Sequence, residues 1–252
     1  MKRAIKTWLS ASVLALGVAV MLPARASVVI AGTRVVYNAK DSEVTVKLTN
    51  NGKQPALTQI WLDTGDPNAA PSSIDVPFTV TPPLARIDPG KGQTLRIIYS
   101  GEPQPLDRES VFWLNVLEVP PNASADEADS SRLQMAFRTR IKMFFRPEGL
   151  KGRADEAPAK LAWRIIQTGR DTAIEARNPT AYNVSFSSLE LVGGGKSAKY
   201  DGGGMVGPGE TRRYPLTGDV RPGADARLRY RAINDFGGTA EGEVALDGTT
   251  AK

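Results

Sequence analysis

The sequence predicts an all-β fold built from two β-sandwiches in tandem. Three observations carry this expectation. Short runs of apolar residues, several alternating strictly with polar ones, recur along the chain with turn signals between them. A polar stretch rich in Gly, Pro, Ala and charge, Pro147 to Lys160, separates two sets of such runs. Neither set contains a convincing amphipathic helix, a heptad or a short internal repeat.

The first segment stands outside that fold. Met1-Lys2-Arg3-Ala4-Ile5-Lys6 is basic, Trp8 to Leu22 is apolar, and Ala24-Arg25-Ala26 is a small-residue cleavage site. This is the pattern of a secretory signal peptide, removed after Ala26. The apolar run is too short and too interrupted to span a bilayer comfortably. The 252 residues hold 32 basic and 27 acidic side chains, a net charge of +5 that suggests nucleic acid or a membrane surface. Loss of Lys2, Arg3, Lys6 and Arg25, with no acid, lowers it to +1. A nearly neutral exported chain is a poor nucleic-acid binder.

The first domain, 27–147, begins with a run from Val28 to Tyr37. Glu43 to Leu48 follows, with Val44, Val46 and Leu48 on one face, and it ends at the turn dipeptide Asn51-Gly52. Ala56 to Leu62 is the next strand. Phe78 to Thr81 stops at Pro82-Pro83, which cannot donate to a ladder. A turn at Asp88-Pro89-Gly90-Lys91-Gly92 leads into Thr94 to Tyr99. Val111 to Val119 is strongly apolar and ends at Pro120-Pro121. After the polar loop Asn122 to Ser131 comes a strand of about fourteen residues, Arg132 to Phe145, long against a mode of about five or six. About seven strands with turns between them form the pattern of an immunoglobulin-like sandwich. A linker is placed at 148–160. The second domain, 161–252, reads as Leu161 to Ile166, Thr172 to Arg177, Tyr182 to Leu191, Thr211 to Leu216, Ala226 to Ile233 and Glu241 to Leu246, with Gly193 to Gly204 a long loop or hairpin tip.

Residues absent from the chain exclude much chemistry. With no Cys there is no disulfide, thiolate nucleophile or Cys-bound metal; with no His there is no imidazole base, Ser-His-Asp triad or His-bound zinc. Carboxylate, Lys, Tyr or Ser-Lys chemistry remains. Gly193-Gly194-Gly195-Lys196-Ser197 fails as a phosphate loop, because Glu190 stands where the first glycine belongs and no strand-to-helix context exists. Asn122-Ala123-Ser124 fits a glycosylation sequon but reads better as polar loop. Asp63 with Asp66, and Asp126, Glu127 and Asp129, lie in turn-rich polar segments and read as solvated surface rather than acid/base pairs or metal ligands. A carbohydrate-active β-sandwich would need paired carboxylates near aromatic platforms, which are not evident.

The strand from Arg132 is more informative. Leu133, Met135, Phe137, Ile141, Met143 and Phe145 share one parity; Arg132, Gln134, Arg138, Arg140 and Lys142 share the other. This fits a half-buried sandwich strand, and equally an edge offered to a partner by strand addition.

Taken with other segments, this strand resembles the periplasmic pilus chaperones, the PapD-like family, over essentially the whole mature chain. The resemblance rests on Thr33-Arg34, Thr81-Pro82-Pro83, Asp107-Arg108-Glu109-Ser110 before Phe112-Trp113-Leu114-Asn115-Val116, and Glu118-Val119-Pro120-Pro121. It continues through Ile141-Lys142-Met143-Phe144-Phe145-Arg146-Pro147, Asn178-Pro179-Thr180 and Ile233-Asn234-Asp235-Phe236-Gly237-Gly238. Each tripeptide is weak; all of them in order are specific.

The resemblance implies two immunoglobulin-like domains in an L shape with a cleft between them, and no enzymatic activity or cofactor. It implies that Arg34 and Lys142 bind the C-terminal carboxylate of a pilin subunit by charge-assisted hydrogen bonds. Leu133, Met135 and Phe137 match the donated strand that fills the groove of an incomplete pilin. Glu109, Arg146 and Asp235 match an interdomain charge network that fixes the domain angle. Leu57, Gln59, Thr81, Pro83, Arg96 and Val119 match contacts to an outer-membrane usher. The short loop Pro120 to Ser131 places the chain with the subgroup that serves rod-type fibres. Pilins and usher are the implied partners, with a self-capping oligomer when free, and neither nucleic acid nor a small-molecule substrate. A chaperone-like module for another exported β-protein is the rival within the same fold.

Overall fold

The computed structural model describes residues 27–121, 135–169, 171–221 and 223–246. The expected signal peptide, Leu133 and most of the loop after Pro121 lie outside the described residues. The first domain comprises β1 (Val28–Ile30), β2 (Arg34–Asn38), β3 (Val44–Asn50), β4 (Ala56–Asp63), β5 (Phe78–Thr81), β6 (Leu84–Ile87), β7 (Gly92–Tyr99), β8 (Ser110–Val119) and β9 (Phe137–Arg146). They form a four-stranded sheet, β1-β3-β7-β5, packed on a five-stranded sheet, β2-β9-β8-β4-β6. The second domain comprises β10 (Ala162–Thr168), β11 (Asp171–Arg177), β12 (Val184–Gly193), β13 (Lys196–Tyr200), β14 (Gly204–Val206), β15 (Thr211–Pro215), β16 (Thr217–Gly218), β17 (Arg227–Ile233) and β18 (Thr239–Ala245). Its sheets are β10-β11-β15 and β16-β13-β12-β17-β18, with β14 beside β12. The chain is thus two tandem immunoglobulin-like sandwiches, each with its own apolar core.

Alternation explains which faces are buried. Val46 and Leu48 of β3, Leu95 and Ile97 of β7, and Leu114 and Val116 of β8 point inward, while their sequence neighbours on β3 and β7 face out. On β9 the odd-numbered Ile141, Met143 and Phe145 enter the core. The even-numbered face carries Arg138, Arg140, Lys142 and Arg146. It also carries Phe144, which is buried but lies outside the first-domain core.

Several segments differ from expectation. The run Val28 to Tyr37 is two strands in two different sheets: β1 pairs with β3, and β2 runs parallel to β9. The chain switches sheets at Ala31–Thr33, where Gly32 has φ +100°, a left-handed conformation that side chains disfavour. A comparable crossing occurs at Pro82-Pro83. There β5 leaves one sheet and β6 joins the other, a strand that periodicity alone did not separate. Of the two expectations for the glycine-rich stretch after β12, a long loop or a hairpin tip, the hairpin is the one that forms. Gly194 (φ +59°) and Gly195 (φ +73°) form its two-residue tip, as a turn with two positive φ values requires. Leu150, Ala154 and Ala157 of the polar stretch pack against the second core.

Two fully buried asparagines hold corresponding turns. Asn50 Nδ2 donates to the carbonyls of Gln54 and Ile87, each at 2.8 Å, and its Oδ1 accepts from Gly52 N. Asn178 Nδ2 donates to Tyr182 O (2.7 Å) and Val206 O (2.9 Å), and its Oδ1 accepts from Thr180 N and Oγ1. Each side chain satisfies backbone groups that burial would otherwise strand.

Candidate functional site: a paired-cation cleft beside a free strand edge

The site begins with the register of β2 and β9. The two strands are parallel, and Arg34 is the register partner of Lys142. Neighbouring strands lie about 4.8 Å apart, so the two side chains leave adjacent points on one face. That face is the outer one, because Val35 and Tyr37 of β2, with Met143 and Phe145 of β9, occupy the core. The second domain covers part of it and makes a cleft.

Arg34 Nη1 donates to Ile233 O across the cleft at 2.8 Å, and its guanidinium carbon lies 5.5 Å from the Phe144 ring centre. Arg34 Nε is buried without a hydrogen-bond partner. Lys142 Nζ lies 3.4 Å from Ser185 Oγ and 5.4 Å from the Trp113 ring centre. Among the described residues neither cation makes an ion pair. Burial, with the charges of Arg34 and Arg212, brings the Lys142 ammonium down to about 8. Burial likewise lowers Arg34, against the opposing pull of Asp235 and Glu109. Two partly desolvated cations side by side, with open donors, form an arrangement that an anion stabilises.

The expected interdomain network is assembled. Arg146 Nε donates to Glu109 Oε1 at 2.6 Å, while Nη1 and Nη2 grip Asp235 at 2.7 and 3.0 Å. Glu109 Oε2 accepts from Asn183 N at 2.8 Å, and Glu109 N donates to Ala181 O. Burial raises the Glu109 carboxyl, opposed by Arg146 and Asn183. The β17–β18 loop completes the junction: Asn234 Oδ1 accepts from Phe236 N and Gly238 N, which presents Asp235 to Arg146. Gly237, at φ +82°, passes so close to Thr33 that a Cβ would meet Thr33 Oγ1 at 2.5 Å. A cavity of about 500 Å³ lies between the domains, bounded by Arg34, Phe144, Arg146, Tyr182, Asp235 and Phe236.

The strand expected from Arg132 runs from Phe137 to Arg146, and it is an edge for only part of its length. Residues 142–146 are flanked by β2 and β8. Residues 137–141 pair with β8 alone and leave their other side free among the described residues. Phe137 faces inward beside Glu118 and is half-buried; Met135 precedes the strand and is 43% exposed. The free edge therefore ends at the Arg34–Lys142 pair.

The six residues matched to usher contact are distributed over both sheets of the first domain and the crossing between them. Leu57 and Val119 are register partners on the outer face of the five-stranded sheet, and Gln59 shares it. Thr81 and Arg96 are register partners on the other sheet, where Arg96 is paired with Glu43. Pro83 lies in the crossing between the sheets. Leu84, which that set omits, is exposed on β6 opposite Gln59.

One cluster contradicts the sequence reading. Asp63, expected on the solvated surface, is buried and grips Arg140 through both oxygens at 2.7 and 2.9 Å. Asn115 Nδ2 donates to it at 2.7 Å and Gly65 N at 2.6 Å. Arg140 lies 4.7 Å from the Trp113 ring centre. Ser185 and the Ile233 carbonyl were also missed. The only available signal was parity, which places Arg140 and Lys142 on one face of β9.

The structure is two immunoglobulin-like sandwiches whose cleft holds paired cations beside an open strand edge. Residues 27–151 match the family model described as pili and flagellar-assembly chaperone, PapD N-terminal domain. Residues 156–244 match pili assembly chaperone PapD, C-terminal domain. The probable fimbrial chaperone YadV of Escherichia coli K12 is 48% identical over 223 residues, 88% of this chain and 90% of that one. Its crystal structure superposes with a TM-score of 0.73 over 88% of this chain and all of that one. The chaperone protein FimB/FhaD of Bordetella pertussis is 46% identical over 228 residues, 88% and 89% of the two chains. The structure of the Salmonella enterica SafA pilin in complex with the SafB chaperone matches at 27% identity and a TM-score of 0.70, over 89% and 99% of the chains. The chain belongs to the PapD-like family of pilus assembly chaperones and serves pilus subunits in a chaperone–usher pathway.

Proposed function

We propose that this chain captures pilin subunits by lending them a strand while holding their C-terminal carboxylate, and then delivers them to an outer-membrane usher. The observation that carries the reading is the meeting of the free 137–141 edge with Arg34 and Lys142. A strand added in the row of β2, running parallel to β9, would end against these cations. Its terminal carboxylate would accept from both, and its backbone would pair with the open edge over about 16 Å. The apolar side chains of Leu133, Met135 and Phe137 would enter the groove of the incomplete subunit. An unfinished sandwich exposes core and unpaired backbone, and such edges aggregate unless covered.

No step requires bond chemistry, so the chain acts as a chaperone and not as an enzyme. The signal-peptide pattern supports a periplasmic site of action. Glu109, Arg146 and Asp235 keep the cleft at one angle. Usher contact is assigned to the first domain, where Leu57, Val119 and Leu84 expose apolar surface around Gln59. The test is periplasmic co-expression with a fimbrial subunit that lacks its completing strand. A soluble one-to-one complex is expected from the wild type and its loss from Arg34→Ala. Equal recovery of subunit with and without the chaperone counts against the reading.

A further inference from the structure

Lys142 is a desolvated ammonium beside a guanidinium, and among the described residues no acid pairs with it. The groups that face it come from every neighbouring element. Arg34 stands on β2 and Arg140 on its own strand. Ser185 is on β12, and Arg212 of β15 adds a like charge. Asp63 is committed to Arg140, and Glu109 and Asp235 are committed to Arg146. The remaining side is an aromatic face.

The register makes that contact systematic. Arg34, Lys142, Trp113 and Asp63 are successive partners across β2, β9, β8 and β4. Lys142 is therefore flanked by a cation on one side and by an indole on the other. The indole is itself fixed. Arg140 sits over it at 4.7 Å and is locked by two hydrogen bonds to Asp63. Gly65, at φ +124°, lies against the indole edge, where a Cβ would be in ordinary van der Waals contact with Trp113 Nε1 at 3.5 Å.

We propose that Trp113 is a positioning residue for Lys142: clamped by Arg140 and Asp63, its ring holds the ammonium beside Arg34 and offsets part of its desolvation. The inference rests on the reading of Arg34 and Lys142 as a carboxylate anchor and adds what keeps that anchor charged before a subunit arrives. An aromatic face stabilises a desolvated cation without neutralising it, so the ammonium remains available to an incoming carboxylate. A carboxylate in the same place would occupy the site permanently. Arg140 needs its own acid because it would otherwise add a further uncompensated charge next to Lys142.

The test uses the full mature chain with its lysines dimethylated with ¹³C-formaldehyde and followed by NMR across pH, the Lys142 signal being assigned by its absence in Lys142→Arg. Wild type is expected to titrate near 8. Trp113→Leu is expected to titrate about 0.5–1.5 pH units lower, and Trp113→Phe, which keeps a ring, between the two. A Trp113→Leu or Trp113→Phe chain that loses thermal stability but titrates like wild type overturns the inference and leaves Trp113 a packing residue. A second arm measures binding of a twelve-residue alternating Val/Thr peptide with a free C-terminal carboxylate against its C-terminal amide. Equal binding of the two by wild type overturns the anchor reading, whatever the titration shows. Preference for the carboxylate, reduced about three- to thirtyfold at pH 8 by Trp113→Leu, supports both.

Discussion

Arg34 and Lys142 are register partners in a parallel strand pair, and the nearest groups across the cleft, Ile233 O and Ser185 Oγ, are both uncharged. The like charges are tolerated because the sheet dictates their spacing. Their consequence for pH is direct. Burial first, then Arg34 and Arg212, lower the folded-state pKa of Lys142 from 10.5 to about 8. Between those values the folded chain binds fewer protons than the unfolded chain, so stability rises with pH across that window. At pH 7 the charged lysine opposes folding. Lys142→Met is expected to stabilise the free protein there by about 1–2 kcal/mol, allowing for partial exposure, in urea titrations. The proposed carboxylate capture should run the other way, holding below pH 8 and weakening by up to tenfold per unit above it.

Arg34→Ala should separate binding from folding. The side chain contributes one interdomain hydrogen bond, worth about 1 kcal/mol. Removing one partner of a desolvated charge pair in a complex costs about 2–5 kcal/mol. The variant is expected to unfold near the wild-type midpoint and to lose subunit capture in pull-down. Normal capture by a folded Arg34→Ala chain would exclude the anchor.

Arg146→Ala should have the opposite profile. It strands Glu109, whose side chain is 1% exposed, and frees Asp235. Breaking a buried pair by removing one partner costs about 3–5 kcal/mol. Amide exchange is expected to accelerate at Asn183 N, bonded to Glu109, and at Glu109 N, bonded to Ala181. Unchanged protection there would show that the network does not hold the domains together.

Gly237→Ala tests the same junction through the backbone. The position has φ +82° and a Cβ would collide with Thr33 Oγ1. A loss of about 1–3 kcal/mol is expected in thermal unfolding, with Thr33→Ala restoring only the steric part. A silent substitution would mean that the loop can withdraw without cost.

Met135→Glu probes the proposed strand donation. Met135 is exposed and outside β9, so stability should move by no more than about 0.5 kcal/mol. A carboxylate inserted into an apolar groove should cut subunit affinity at least tenfold, read by competition with wild-type chaperone.

The two sandwiches were legible because alternation and turn chemistry act locally. Val44, Val46 and Leu48 declare their face, and Asn51-Gly52 declares the turn after it. The pair Arg34 and Lys142 was legible only through motif order, since they are distant in sequence and meet by strand register. Asp63 was misread because it lies beside Gly65, Asp66 and Pro67, a composition that ordinarily marks exposed turns. Its burial is decided by Arg140 two strands away. The split of Val28 to Tyr37 was hidden for a related reason: both halves are apolar, and only the sandwich tells them which sheet to join.

The turn at Ala31–Thr33, where the chain leaves one sheet and enters the other, has a consequence for reading frame. It decides where β2 starts, and so both how much of β9 stays open and where Arg34 stands. The start of β2 thus sets both the stop, at Arg34, and the length of the rail, the open edge of β9. On the proposed strand-addition reading, a guest strand that met the stop would be in frame at every position behind it, whereas a slip of one residue would turn each of its side chains to the wrong face. Lengthening that turn by a residue would move the stop along the rail, and on the proposed reading the frame of the bound subunit would move with it.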